Sequence, residues 1–144
     1  MPPARRICPT PLLADPDFWR QRLAAMEDVA PGLLILPRSD LAMRGMEVVE
    51  WRLRTHDEKR LWGLRCQSSF HVCPTGARIR VVGPTQRPEI SFDAVTDGRV
   101  DFVFQGLPGR KLEERVLDVL RVLRVAVDFC DLDARDVALE GDAD

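Results

Sequence analysis

Few residues in this sequence could act as a nucleophile or as a general base. The chain has four serines and two histidines: Ser39, Ser68, Ser69, Ser91, His56 and His71. Residues 68–71 place two hydroxyls and an imidazole close together, but catalysis requires a hydrogen bond between nucleophile and base in space, not proximity along the chain. We therefore predict a polar loop at 68–71, and we expect His56 to lie exposed at a hairpin tip. No catalytic residue is assigned.

Three soft metal ligands fall within eight residues, at Cys66, His71 and Cys73. Zinc sites combine Cys and His at short spacings, but this spacing is not a usual one and no second cysteine pair completes the set. We predict no metal site. The sequence has no export signal, so Cys8 and Cys130 complete a set of four reduced thiols rather than a disulfide framework.

Clusters of acidic residues and one glycine-containing loop also have ordinary structural explanations. Glu113 and Glu114 fall in the first turn of a predicted helix, where acids favour the positive end of the dipole. The acids at 128–133 lack the glycine and the terminal glutamate of a calcium loop. The loop at 106–111 precedes a helix and could hold an anion, but it lacks a nucleotide-binding fingerprint. We predict no cofactor.

The first half of the chain predicts a helix and a long β-hairpin. Asp15 and Pro16 favour a helix start, and apolar residues at near-helical spacing extend it over about 16–28. Residues 33–45 are predicted to be an irregular connection. Alternation over 48–66 predicts a hairpin that turns at 56–58, and we expect its two tryptophans, Trp51 and Trp62, to pack against the body.

The second half predicts a strand, helix and strand unit. Residues 77–82 and 100–105 have the composition of buried strands, and 112–129 form the strongest helix of the chain. Its predicted core-facing stripe is Leu112, Val116, Val119, Leu120, Leu123 and Val127, and Asp118 and Arg121 are placed beside this stripe. A short strand follows at 137–139. This order predicts an α/β fold with parallel strands, as a single domain over 15–144 after an extended lead-in at 1–14.

Charge and hydropathy exclude several classes of partner. The 21 basic and 23 acidic residues give a net charge of -2, and no block of one sign favours nucleic acid or an anionic membrane. The sequence contains no apolar stretch of the ~20 residues that a membrane span needs, and its start lacks the apolar core of a signal peptide. We expect a cytoplasmic protein.

Three segments, in order, resemble the acetyl xylan esterase and cephalosporin-C deacetylase group of α/β hydrolases. Residues 17–23, which begin Asp-Phe-Trp, are similar to the opening helix of the family. Residues 43–63, with MEVVEW and RLWG, look like its first hairpin. Residues 116–141 resemble the helix and strand that lead to the nucleophile elbow, with DLDARDV in the position of the family's VDPxRI. The resemblance implies a partial α/β-hydrolase sheet, a hairpin followed by a βαβ unit.

The residues that would follow that strand in the family are replaced here. An elbow of the form G-x-S-x-G exposes the serine at a strained turn. Gly141 matches its first glycine, but Ala143 occupies the serine position and Asp144 follows. We therefore expect a truncated, non-catalytic remnant that serves in binding. Two alternatives stay open: a component of an acetyl esterase whose catalytic half is supplied by a separate downstream segment, and an unrelated small α/β domain.

The resemblance also predicts association. In the family the strand equivalent to 137–139 is central, paired on both sides and covered by helices from the downstream half. Without those neighbours, its outer edge would present unpaired backbone groups beside uncovered apolar side chains. We expect a homo-oligomer or a complex with a protein partner through residues 136–141.

Overall fold

The computed structural model describes residues 16–41, 45–69, 74–90, 98–130 and 132–141. Within these ranges the chain forms two α-helices, six β-strands and one short 3₁₀ turn. In chain order these are α1 Pro16–Glu27, β1 Leu34–Pro37, β2 Met46–Arg54, β3 Arg60–Ser68, β4 Ala77–Val82, β5 Val100–Gln105, α2 Leu112–Cys130, the 3₁₀ turn Ala134–Asp136 and β6 Val137–Gly141. The predicted lead-in at 1–14 lies outside the described residues.

One mixed sheet contains all six strands in the order β1-β2-β3-β5-β4-β6. Strand β1 pairs with β2, β2 with β3, and β3 with β5, each in antiparallel fashion. Strand β4 pairs in parallel with β5 on one side and with β6 on the other. The predicted α/β class, the hairpin and the parallel βαβ unit are confirmed, and β4 lies between the two strands that α2 connects.

The hairpin follows from the alternating pattern of its two strands. Trp51 is fully buried on the face of the sheet that α2 covers, where its ring meets the edges of Phe102 and Phe129 at centroid distances of 4.9 and 5.4 Å. Trp62 is half-buried on the opposite face, where its indole N–H donates to Gln105 Oε1 at 2.9 Å. Both tryptophans pack on the body, as predicted, but on different faces of the sheet.

Helix α2 packs on the sheet through a different face from the one that we predicted. Its buried residues are Leu117, Asp118, Arg121, Val122, Val125 and Ala126. The predicted stripe from Leu112 to Val127 is only half-buried or exposed. The helix is apolar on two adjacent faces, and the stripe was chosen because Asp118 and Arg121 were assigned to the polar side. In the structure these two side chains are buried and paired.

Residues 33–45 were predicted to be irregular, but Leu34–Pro37 form strand β1. The segment pairs with β2 over four residues, from Leu34 opposite Arg52 to Pro37 opposite Val49. An apolar run without alternation gives no strand period, so only the pairing with β2 reveals this strand. Within the described ranges, neither helix is long and apolar enough to cross a membrane.

Candidate functional site

The candidate nucleophile and base residues are far apart where the structure describes them. His56 lies in the turn at one end of the hairpin, and Ser68 is buried at the other end of β3. At about 3.3 Å per residue, the strand separates them by roughly 25 Å. His56 is half-buried rather than exposed as predicted, because its turn packs against the loop before α2: Asp57 accepts hydrogen bonds from Arg110 of that loop, and His56 Nδ1 lies 3.9 Å from Asp57 Oδ1. His71 lies outside the described residues.

Both cysteines in the described residues are free thiols. Cys66 is fully buried, and this burial, with a smaller contribution from Asp101, raises the pKa of its thiol to about 11. Burial also raises the pKa of the Cys130 thiol. In the described part of the chain, no group of three His, Cys, Asp or Glu side chains could hold a metal ion. Cys8 and Cys73 lie outside it.

The loop before α2 has its polar groups occupied by partners from the same chain. Glu114 Oε1 accepts a hydrogen bond from the backbone N–H of Lys111 at 2.9 Å, and this bond lowers the pKa of the Glu114 carboxyl. Arg110 donates to Asp57 at 2.7 and 2.9 Å and to Asp118 at 2.9 and 3.0 Å. These bonds cap the helix and anchor the hairpin turn, so the helix N-terminus already has its anion from within the chain.

An apolar groove of about 460 Å³ lies between α2 and the β6 side of the sheet. Its walls come from the carboxyl ends of β4 and β5, the first half of α2 and Leu139 of β6. The lining residues are Leu61, Val81, Val82, Gly83, Pro84, Phe104, Gly106, Leu107, Leu112, Arg115, Val116, Asp118, Val119, Leu120, Val122 and Leu139. The first four residues of the α2 stripe that was predicted to face the core, from Leu112 to Leu120, therefore line this groove.

Two leucines at the groove are unusually open for their type. Leu139 is 48% exposed, and Leu112 is 47% exposed. Large apolar side chains that gather around a concave surface mark an interaction site more often than isolated ones do. The groove continues onto β6, which is the edge strand of the described sheet. We call these two features together the β6 edge: strand Val137–Gly141 and the groove beside it.

Beside β6, the face of the sheet opposite to the groove is charged. Arg78 and Arg80 of β4 both donate to the fully buried carboxylate of Asp101, at 3.1 and 3.0 Å. Glu140 of β6 is half-exposed, and its Oε2 lies 3.7 Å from Arg78 Nε. Sequence analysis missed this cluster, although the alternation of Ala77–Val82 already places both arginines on one face of β4.

Comparison with known proteins finds a relationship in fold. No family model matches the sequence, and no curated protein matches it significantly. Among solved structures, the acetyl xylan esterase from Paenibacillus sp. R4 has a TM-score of 0.71 and 13% identity. Acetyl xylan esterase 1 from Thermoanaerobacterium sp. JW/SL YS485 has a TM-score of 0.71 and 15% identity.

The matches cover most of this chain and half of its neighbours. The first covers 86% of this chain and 50% of the Paenibacillus enzyme. The second covers 87% of this chain and 49% of the Thermoanaerobacterium enzyme. The chain thus spans about half the length of these esterases and has an esterase-like fold.

Proposed function

We propose that this chain is a non-catalytic binding domain built on the sheet framework of an acetyl-xylan-esterase-type α/β hydrolase, and that it acts by docking another protein chain along the β6 edge. The observation that carries the proposal is that, among the described residues, β6 pairs on one side only and lies beside an apolar groove, with Leu139 half exposed. An edge strand with free backbone groups is a template for adding a further strand.

The fold relationship supports this proposal. In the family that the sequence resembles, the strand equivalent to β6 is central and covered by helices. In the described sheet no strand pairs beyond β6, so the corresponding surface can pack against another chain. The first four residues of the α2 stripe belong to that surface, because they line the groove.

The chemistry of the described residues supports the non-catalytic part. Ser68 and His56 lie at opposite ends of the hairpin, and both described thiols have raised pKa values, which disfavours the reactive thiolate. We expect purified protein not to hydrolyse nitrophenyl acetate above a matched control. The Thermoanaerobacterium acetyl xylan esterase is the positive control. Turnover abolished by a serine-directed phosphonate would refute a non-catalytic role.

The docking part is tested by amide hydrogen exchange of the isolated chain. Alternate amides of β6 bond to β4, and the others face away from the sheet. If the edge is open, the outward amides exchange far faster than those bonded to β4, and a bound chain slows them. Equal, strong protection of both sets in a strict monomer would mean that the chain covers its own edge, and the docking proposal would fail.

A second candidate is a component of a carboxylic-ester hydrolase whose catalytic half is supplied by a separate segment. The observation in its favour is that the chain covers about half of each esterase and retains its own compact core. The test is the DNA after codon 144. A frame that encodes a serine elbow, an acid and a histidine, and that confers acetyl esterase activity when co-expressed with this chain, favours this candidate over a binding domain.

A further inference from the structure

The described sheet has two edge strands, and only one of them is suited to pairing. Strand β1 is four residues long and ends at Pro37, which has no N–H to donate. Proline and short length are the usual devices that protect a sheet edge. Strand β6 is five residues long and contains no proline. Added strands are therefore expected at β6 rather than at β1.

We propose that the chain docked at β6 is a second copy of this protein, and that two β6 strands pair antiparallel about a two-fold axis at Leu139. The inference rests on the proposed docking function and names its partner. A two-fold contact requires a patch that is complementary to itself. The sequence of β6 and the charges beside it meet that requirement.

The register follows from the order of residues in β6. Centred on Leu139, the pairing sets Val137 opposite Gly141 and Ala138 opposite Glu140, so all five residues of each strand are paired. Centred on Ala138, it would set Glu140 opposite Asp136; centred on Glu140, it would set two glutamates opposite each other. Like charges directly opposite destabilise a strand pair, so the Leu139 register is favoured.

The charged face supplies complementarity in this register. Arg78 lies beside Ala138, its neighbour across the β4 and β6 pair. Its side chain is 18% exposed, so a carboxylate from another chain can approach it. In the Leu139 register, Glu140 of the second copy arrives opposite Ala138, whose methyl side chain leaves the space between the carboxylate and Arg78 open. The two-fold axis repeats this ion pair.

The apolar face contributes at the axis itself. Leu139 is on the α2 side of the sheet, so the two Leu139 side chains would meet each other and lose the exposure they have in the single chain. The two grooves would lie on the same face of the joined sheet, on either side of this contact.

Sedimentation equilibrium over a wide range of concentrations tests the inference. We expect a reversible dimer whose dissociation constant rises about 100-fold or more with Leu139→Lys, because each change acts twice and sets two lysines opposite each other. The matched control is Leu34→Lys on β1, since Leu34 is also 48% exposed and lies at the other edge. A dimer weakened equally by both changes would overturn the β6 interface.

Cross-linking tests the register. Leu139→Cys is expected to form an intermolecular disulfide on mild oxidation, since directly opposite residues have the Cα separation that a disulfide accepts. Leu34→Cys and the unchanged chain are the controls, because they show how much intermolecular disulfide the native cysteines form by themselves. Glu140→Arg should weaken the dimer about tenfold. No cross-link above background in a sedimenting dimer would overturn the two-fold pairing at Leu139.

If the protein is a monomer at every concentration tested, its partner is not a second copy. Amide exchange then distinguishes failure of the dimer proposal from failure of the docking function. If the outward amides of β6 exchange rapidly in that monomer, the edge is open and the docking function stands with a different partner. If they are protected, the edge is covered from within the chain, and both proposals fail.

Discussion

The buried guanidinium of Arg121 offers the sharpest test of how the framework is held together. Arg121 lies on α2 and is only 4% exposed. It donates to three backbone carbonyls: those of Met26 at 3.0 Å, Arg54 at 2.7 Å and Val29. The first belongs to the last turn of α1, and the second ends strand β2. One side chain therefore joins both helices and the hairpin, and we predict that Arg121→Met destabilises the protein strongly.

The size of the effect follows from the carbonyls that the substitution leaves behind. Burial disfavours the charged form and lowers the pKa of the Arg121 guanidinium, so the gain from its hydrogen bonds is partly offset by desolvation. Removing the guanidinium leaves three carbonyl acceptors without a hydrogen bond, and each buried, unsatisfied acceptor lowers the free energy of unfolding by about 1–3 kcal/mol. Met fills much of the space and water reaches some acceptors, so we expect a loss of about 3–5 kcal/mol.

The assay is urea unfolding followed by far-ultraviolet circular dichroism, with hydrogen exchange of α1 amides as a second readout. Arg121→Lys keeps the positive charge, but an ammonium group lacks the planar guanidinium that reaches three carbonyls. We therefore expect this variant to lose more than half as much stability as Arg121→Met does. Arg124→Met is the matched control: Arg124 lies one turn further on the same helix, exposed, with partners Glu27 and Asp128, and its loss should leave the midpoint unchanged. If Arg121→Met stays within about 1 kcal/mol of the parent, the bridging role is wrong.

Three further predictions concern the hairpin and its surroundings. Trp51→Ala should cost about 3–5 kcal/mol in urea unfolding because the side chain is fully buried, whereas Trp62→Ala should cost less than half as much; equal effects would contradict the burial of Trp51. Gly63→Ala should cost about 3 kcal/mol, since a Cβ there would lie 2.4 Å from the Val103 carbonyl oxygen, and an unchanged midpoint would refute this close approach. Hydrogen bonds from Arg110, and then from Thr55, lower the pKa of the Asp57 carboxyl in the folded chain. As the pH falls, Asp57 is therefore protonated in the unfolded chain before it is protonated in the folded one. Stability is then present above about pH 4 and falls as the pH drops further, and in urea titrations at several pH values Asp57→Asn should flatten that dependence.

Local patterns predicted five of the six described strands, all but β1, because each of these five carries its own signal. In β2 and β3 alternation marks the two faces, β5 is a β-branched and aromatic run, and both β4 and β5 end just before a glycine. The connection between β5 and β6 was recognised as a parallel crossover because a strong helix separates two strands. These features depend on residues close together in sequence, which is why composition and period were sufficient.

The face of α2 could not be predicted in the same way. Arg121 is polar, so patterning places it outward, but its acceptors are carbonyls at Met26, Val29 and Arg54, more than 60 residues away in the chain. Asp118 is likewise buried against Arg110. A polar residue becomes a core residue only when groups outside its own helix satisfy it, and the period of the helix does not carry that information.

Strand β6 contributes little to the main core, so changes in this strand should affect association more than the stability of the fold. Among the described residues, the main core draws on β2, β3, β4, β5 and α2, and β6 adds only the half-buried Val137. Leu139 lies outside that core and lines the groove instead. A domain whose core is complete without Leu139 can vary that residue at little cost in stability. Changes at Leu139 should therefore alter association and leave unfolding nearly unchanged, whereas changes at Trp51 or Arg121 should do the reverse at concentrations where the chain is a single copy.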